Sequence, residues 1–260
     1  MGSSAATRPR RRAITPPWVW FGGALALTAL GFWPSFYSVL PDVPTHLLVH
    51  GLSATLWMAL PLVQGLAIAR RERVLHRRLG YASLALAAVV ALSGLRVVQT
   101  MVLGDGGVPA LISVKFVLLD LTGIALFSVF LALAIRAARH RDIPLHLRLM
   151  ACTALIPLEA ANERTAMLLA PSLVPTFDQA LHASLLGMEA ICAVLILVEW
   201  RGGRVRWPVP FLLGYYLLMH AIATPVARDP RFQAFASWYA RIGSGAAAGA
   251  PLSPAGSAPR

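Results

Sequence analysis

Seven side chains in this sequence have the types and spacing to bind a metal ion or to move a proton: His46, His50, Glu159, Glu163, His182, Glu189 and His220. His46 and His50 are four residues apart, so on a helix they share one face a turn apart and can address a single site. Glu159 and Glu163 repeat that spacing, with Asn162 alongside, while His182, Glu189 and His220 sit in later apolar segments. Neutral imidazole nitrogens and carboxylate oxygens suit a divalent transition ion such as Zn, Fe or Cu. They equally suit a proton relay.

The elements that must position these groups are membrane helices. The chain has 260 residues, 57% of them hydrophobic and only 13% charged, whereas charged residues make up about a quarter of a soluble domain. A helix needs roughly 20 apolar residues to cross the hydrocarbon core, and seven such runs occur, at 18–40, 46–69, 81–103, 111–136, 147–169, 180–199 and 210–227. Proline or glycine punctuates their ends at Pro41 and Pro44, Gly104 to Gly107, Pro171 and Pro175, and Pro208 and Pro210. The fold class expected is all-α, a polytopic bundle.

Arginine placement orients the bundle. Arg8, Arg10, Arg11 and Arg12 precede the first run, and Arg70, Arg71, Arg73, Arg77 and Arg78 fill the second gap. Arg136, Arg139, Arg141 and Arg148 surround the fourth gap, and Arg201, Arg204 and Arg206 the sixth, while the first, third and fifth gaps carry none. Basic residues near span ends accumulate on the cytoplasmic side, so the N-terminus is expected inside and the C-terminus outside. Residues 1–17 read as a basic cytoplasmic tail before an uncleaved first span, 18–227 as the seven-span domain and 243–260 as a disordered tail. Residues 228–242 carry Phe232, Phe235, Trp238, Tyr239 and Ile242 at helical spacing, which fits a helix in the outer interface. Two hairpins echo each other: LAIARRERVLHRRLG around His76 and LAIRAARHRDIPLHLRL around His146 suggest a repeat of spans two to three in spans four to five.

Counting along each expected helix places Arg96, Lys115, Asp120, Glu159, Glu163, Arg164 and Glu189 between the midplane and the outer surface, together with His46, His50, His182 and His220. A charge at a helix centre costs about 2.5 to 3.5 kcal/mol on insertion scales, so each needs a partner or a wet cavity. Three positive against four negative charges also fit plain ion pairing. The inner His76, His140 and His146 stand among arginines, where contact with anionic lipid headgroups outweighs haem ligation as an expectation. Gln64 is expected to hydrogen-bond to a neighbouring helix. Cys152 and Cys192 read as small buried packing residues, at similar depth.

Several classes are unsupported. The net charge of +12 would suit nucleic acid only if the arginines shared a folded face with stacking aromatics, and here they lie in short gaps. No phosphate loop, His-Glu-x-x-His zinc motif or Gly-x-Ser-x-Gly elbow is present.

At HLLVHGLSATLWMALPLVQGLAIARRERVLHRRLGYAS the chain resembles bacterial multi-pass membrane proteins of no agreed activity that carry a histidine early in one span and His-x-x-Leu-Gly at the start of the next. The residues concerned are His50, Trp57, Gln64, His76, Arg77, Leu79 and Gly80. This resemblance implies the bacterial inner membrane, a helical fold and haem or metal binding. A looser resemblance to b-type membrane cytochromes implies haem b, with His50, His182 and His220 as ligands in a redox or respiratory-assembly protein. The alternatives are a zinc-dependent membrane hydrolase, similar to the seven-span ceramidase and adiponectin-receptor type in span number and in its one-sided His and carboxylate cluster, a resemblance that implies Glu159 or Glu163 as the catalytic base taking a proton from metal-bound water, and a non-catalytic scaffold or lipid-binding protein.

Overall fold

The structure is a computed structural model that describes residues 16–103 and 109–242. The expected basic tail, apart from its last residues, and the expected disordered end at 243–260 lie outside the described residues. Among those described there are helices and no strands: α1 (Pro17–Phe32), α2 (Thr45–Ala69), α3 (Arg73–Val102), α4 (Ala110–Arg139), α5 (Ile143–Leu169), α6 (Phe177–Arg201), α7 (Pro208–Arg228) and α8 (Pro230–Arg241). Six of them, α2 to α7, are long and apolar enough to cross a membrane. Their outward faces carry bare leucines such as Leu56, Leu92 and Leu218, a surface that suits lipid contact rather than water.

The first apolar run is not one helix. Pro34 has no N–H to donate and the ladder stops there, so α1 ends at Phe32 and the chain turns into a short 3-10 segment, Tyr37–Asp42. At 16 residues α1 spans about 24 Å, short of the roughly 30 Å core. By contrast α3 and α5 begin at Arg73 and Ile143, ahead of the apolar runs at 81 and 147, because a helix continues into the polar zone once its backbone is hydrogen-bonded.

Helix α5 is the centre, packing on α1, α2, α4, α6 and α7, while α4 packs on α3, α5 and α7. Close approach explains two glycines. A Cβ on Gly31 would lie 2.4 Å from the carbonyl oxygen of Ala161, so α1 crosses α5 there backbone to backbone. A Cβ on Gly187 would lie 2.2 Å from Asn162 Nδ2, so α6 makes room for that amide, which donates to Ser184 O at 2.9 Å. Pro157 within α5 lacks the N–H that would reach the carbonyl of Thr153. The indole of Trp57 on α2 donates to that same oxygen at 3.2 Å, and its ring meets Phe127 of α4 edge-on at 4.9 Å.

The turns α2–α3 and α4–α5 are built alike. Glu72 N donates to Ala67 O and Arg71 N to Ile68 O; Asp142 N donates to Ala137 O and Arg141 N to Ala138 O. This is the paired cap in which a left-handed residue ends the helix, a place usually held by glycine. Here arginines hold it, Arg71 at φ 63° and Arg141 at φ 61°, whereas the α6–α7 turn uses Gly203 at φ 82°. A non-glycine residue there costs about 1 to 2 kcal/mol. Within this register the Leu-Ala-Ile tripeptides of the echo fall three residues apart, since His76 pairs with His146 but Leu66 with Arg136.

Helix α8 docks on α3, α7 and α4 through Phe232, Ala236 and Tyr239, with Tyr239 Oη donating to Leu95 O at 2.8 Å. The expected apolar stripe therefore splits: Phe232 and Tyr239 face the bundle, while Phe235, Trp238 and Ile242 face outward.

Candidate functional site

The arginine-rich turns gather at one end of the bundle. Arg206 grips Asp142 through two bonds of 3.0 and 2.9 Å, and Arg148 pairs with Glu199, whose other oxygen accepts from Arg206 N at 3.0 Å. Toward the same end His146 Nδ1 donates to Ala134 O at 2.9 Å, and the Gln64 amide of α2 donates to His76 Nδ1 and accepts from Gly80 N, both on the neighbouring α3, as expected of it.

Toward the opposite end the seven expected site residues fall into separate neighbourhoods. On α6 and α7, His182 and His220 have ring centres 5.0 Å apart, and His220 Nδ1 is hydrogen-bonded to Glu189 Oε1 at 3.0 Å. His182 Nε2 lies 4.0 Å from Asp178 Oδ2, whose carboxylate is also ion-paired to the buried Lys115 of α4. The side chains fall from 47% exposed at Asp178 through 36% and 26% at the two histidines to 14% at Glu189. The row thus runs from the surface inward.

A second neighbourhood joins α4 and α5. Asp120, Glu159 and Glu163 lie within electrostatic reach of one another and of Arg164. Arg164 is 4.0 Å from Glu163 and stacks over the Phe32 ring at 4.4 Å. Glu159 is buried, and its Oε1 has no hydrogen-bond partner among the described residues. His50 belongs to neither pair of helices: its Nδ1 meets Ser93 Oγ of α3 at 3.1 Å. His46 Nε2 is buried without a hydrogen-bond partner among the described residues.

Among the described residues no three His, Cys, Asp or Glu side chains come together as a group able to hold a metal ion. The spacing His46/His50 and Glu159/Glu163 does put each pair on one helix face, but depth along a helix says nothing of the angle around the bundle: His50 is hydrogen-bonded to Ser93 of α3 and shares with Glu159 and Glu163 the field of Arg164. Sequence reasoning missed Asp178, which it left in a loop. The signal was Lys115, the chain's one lysine, set in an apolar run that demands a counterion. Cys152 and Cys192 are buried free thiols, as small packing residues would be.

Fold and site together define an all-helical bundle of the membrane type, with basic turns at one end and ionisable groups buried toward the other. Beyond that class, the chain matches no protein-family model, no curated protein and no solved structure.

Proposed function

We propose that this chain is a seven-span protein of the bacterial inner membrane, N-terminus inside and C-terminus outside, that binds a transition ion between α6 and α7 in its outer half for a redox or respiratory-assembly role. α1 with the turn to Asp42 makes the seventh crossing, and the absence of arginine from the 33–44, 103–109 and 170–176 connections supports the orientation. The arginine-rich turns face anionic lipid on the inner side.

The observation that carries the metal reading is the pair His182 and His220 with Glu189 behind it. Two imidazoles on one tetrahedral ion, bound at about 2.0 to 2.1 Å, have ring centres roughly 5 Å apart, and here they are 5.0 Å apart. A carboxylate on the far nitrogen of a ligating histidine is the usual outer-shell support, and Glu189 occupies that place on His220. An ion such as Zn, Fe or Cu fits this geometry better than haem b, because the two rings stand side by side on neighbouring helices and His50 is committed to Ser93 on α3.

Elemental analysis and oxidised and reduced absorption spectra of the detergent-purified protein test it. One equivalent of metal in the wild type, lost in His182→Ala and His220→Ala and weakened about 10 to 100-fold in Glu189→Gln, is expected. Folded protein that takes up no ion when supplied with Zn, Fe(II) or Cu(II) overturns the reading. One observation favours a scaffold instead: Lys115, buried at 1% exposure, is already satisfied by Asp178. On that reading His220→Ala lowers stability and no metal is ever bound.

A further inference from the structure

Among the described residues the α2–α3 turn has no counterpart for the bonds that pin the α4–α5 turn. Residues 72 and 78 occupy the places of 142 and 148, as the shared cap hydrogen bonds show. In the second turn these places hold Asp142 and Arg148, consumed by Arg206 and Glu199 of the neighbouring turn. In the first they hold Glu72 and Arg78, both exposed, in a turn where Arg70, Arg71, Arg73 and Arg77 are exposed as well. Five guanidinium groups stand against one carboxylate, and none of them has a protein partner in the described structure.

These groups border a shallow, open depression on the surface of the turn, lined by Arg71, Glu72, Arg73, Val74, Leu75 and Arg78. Its chemistry is two-sided: arginines offer forked donors that match phosphate oxygens, while Val74 and Leu75 expose apolar side chains at 55% and 41%. A free phosphate ion has no use for the second feature. A phospholipid does, because its glycerol and upper acyl carbons lie directly below its phosphate. Arg71 and Arg141 hold the same left-handed place in the two turns, so what sets the α2–α3 turn apart is its unpaired arginines and not its backbone.

We propose that the α2–α3 turn is a binding site for the phosphate headgroup of an anionic phospholipid, with Arg71, Arg73 and Arg78 as its ligands and Val74 and Leu75 as the seat of the glycerol end. The site deepens the lipid contact proposed above but rests only on this turn lying at a membrane surface, whichever side that is, and is independent of the metal reading.

The test is thermal unfolding of the full chain in neutral detergent, titrated with phosphatidylglycerol, with phosphatidylcholine or with inorganic phosphate. A ligand that binds only the folded state raises the midpoint by mass action. Phosphatidylglycerol is expected to raise it saturably, phosphatidylcholine and phosphate are not, and the apparent affinity should fall about tenfold in Arg73→Gln/Arg78→Gln. Arg71→Gly separates ligand from scaffold: it relieves the backbone, so the lipid-free midpoint stays level or rises, while the phosphatidylglycerol shift shrinks. Three results overturn the proposal: an undiminished shift in the double variant, an equal shift with phosphatidylcholine, or an equal shift with inorganic phosphate. The control Arg231→Gln, an exposed arginine on α8 away from the arginine-rich turns, keeps the wild-type response.

Discussion

Trp57 and Pro157 are coupled through one oxygen, and that coupling is measurable. Pro157 leaves the Thr153 carbonyl without its helical donor, and Trp57 Nε1 fills the vacancy from α2 at 3.2 Å. Trp57→Phe removes the donor and strands a carbonyl in a site where Trp57 itself is 1% exposed. A stranded buried acceptor costs about 1 to 3 kcal/mol, and the missing part of the indole adds a small cavity, so a loss of about 2 to 4 kcal/mol is expected. Pro157→Ala returns an N–H to α5 that bonds Thr153 O from within the helix. In that background Trp57→Phe strands nothing and only the cavity cost remains. The double-mutant cycle should therefore show a coupling of about 1 kcal/mol, above the roughly 0.6 kcal/mol average for interhelical bonds in membranes, because the competing donor is restored in place. Unfolding by a denaturing detergent in mixed micelles, followed by circular dichroism, gives the four free energies. Additivity within about 0.3 kcal/mol would refute the reasoning, since it would mean that the indole bond contributes nothing beyond packing.

Gly31→Ala forces a methyl group to within 2.4 Å of Ala161 O and 2.8 Å of Thr165 Oγ1, so it should lower stability by about 1 to 3 kcal/mol; Gly23→Ala on the same helix, with nothing within 4 Å, should be neutral or gain up to about 1 kcal/mol from helix propensity. The same unfolding assay compares them, and equal effects would argue against the α1–α5 crossing. Asp142 caps α5, and the Leu145 N–H, with the Arg206 guanidinium assisting, holds its carboxyl below the usual carboxylate range. Its contribution to stability is present above the unfolded value of about 3.9 and is lost as pH falls through the lower folded value. Asp142→Ala should therefore flatten the acid limb of stability against pH and leave the slope between pH 6 and 8 unchanged; an unaltered acid limb would count against the cap.

The helices were legible because apolar run length and punctuation are one-dimensional properties. Their errors have local causes: Pro34 cuts the first run short, and Arg73 and Ile143 start helices in polar surroundings that hydropathy does not reward. The site was legible only in part. Depth along each helix follows from counting, which is why His182, His220 and Glu189 could be expected at related levels. Which helices are neighbours does not follow from counting. The sequence order α2 to α7 hides the fact that α5 sits at the centre with α6 and α7 wrapped back against it, so His50 and the α6–α7 histidines looked like parts of one site. Lys115 and Asp178 were separable from the start only by asking what neutralises a lysine in an apolar run.

The polar residues of this bundle divide by what they bind, and the division bears on which of them do chemistry. Lipid tails are as apolar as leucine, so burial alone does not draw spans together, and interhelical hydrogen bonds and close packing must contribute. Trp57, Ser184, Asn162, Tyr215 and Tyr216 give their donors to backbone carbonyls of neighbouring helices, at Thr153, Glu159, Ser184, Leu119 and Leu155. Each such bond fastens one helix to another, with α5 on one side of all but the Tyr215 bond. A side chain spent in this way has little left for a ligand. The groups on the α6–α7 face behave otherwise: Glu189 meets His220, His182 stands against His220, and Asp178 lies between His182 and Lys115. Their contacts are side chain to side chain and the backbone ladder does not depend on them. They can change partner, lose a proton or take an ion without unfastening a helix, which is the freedom a functional site requires and a structural tie does not have.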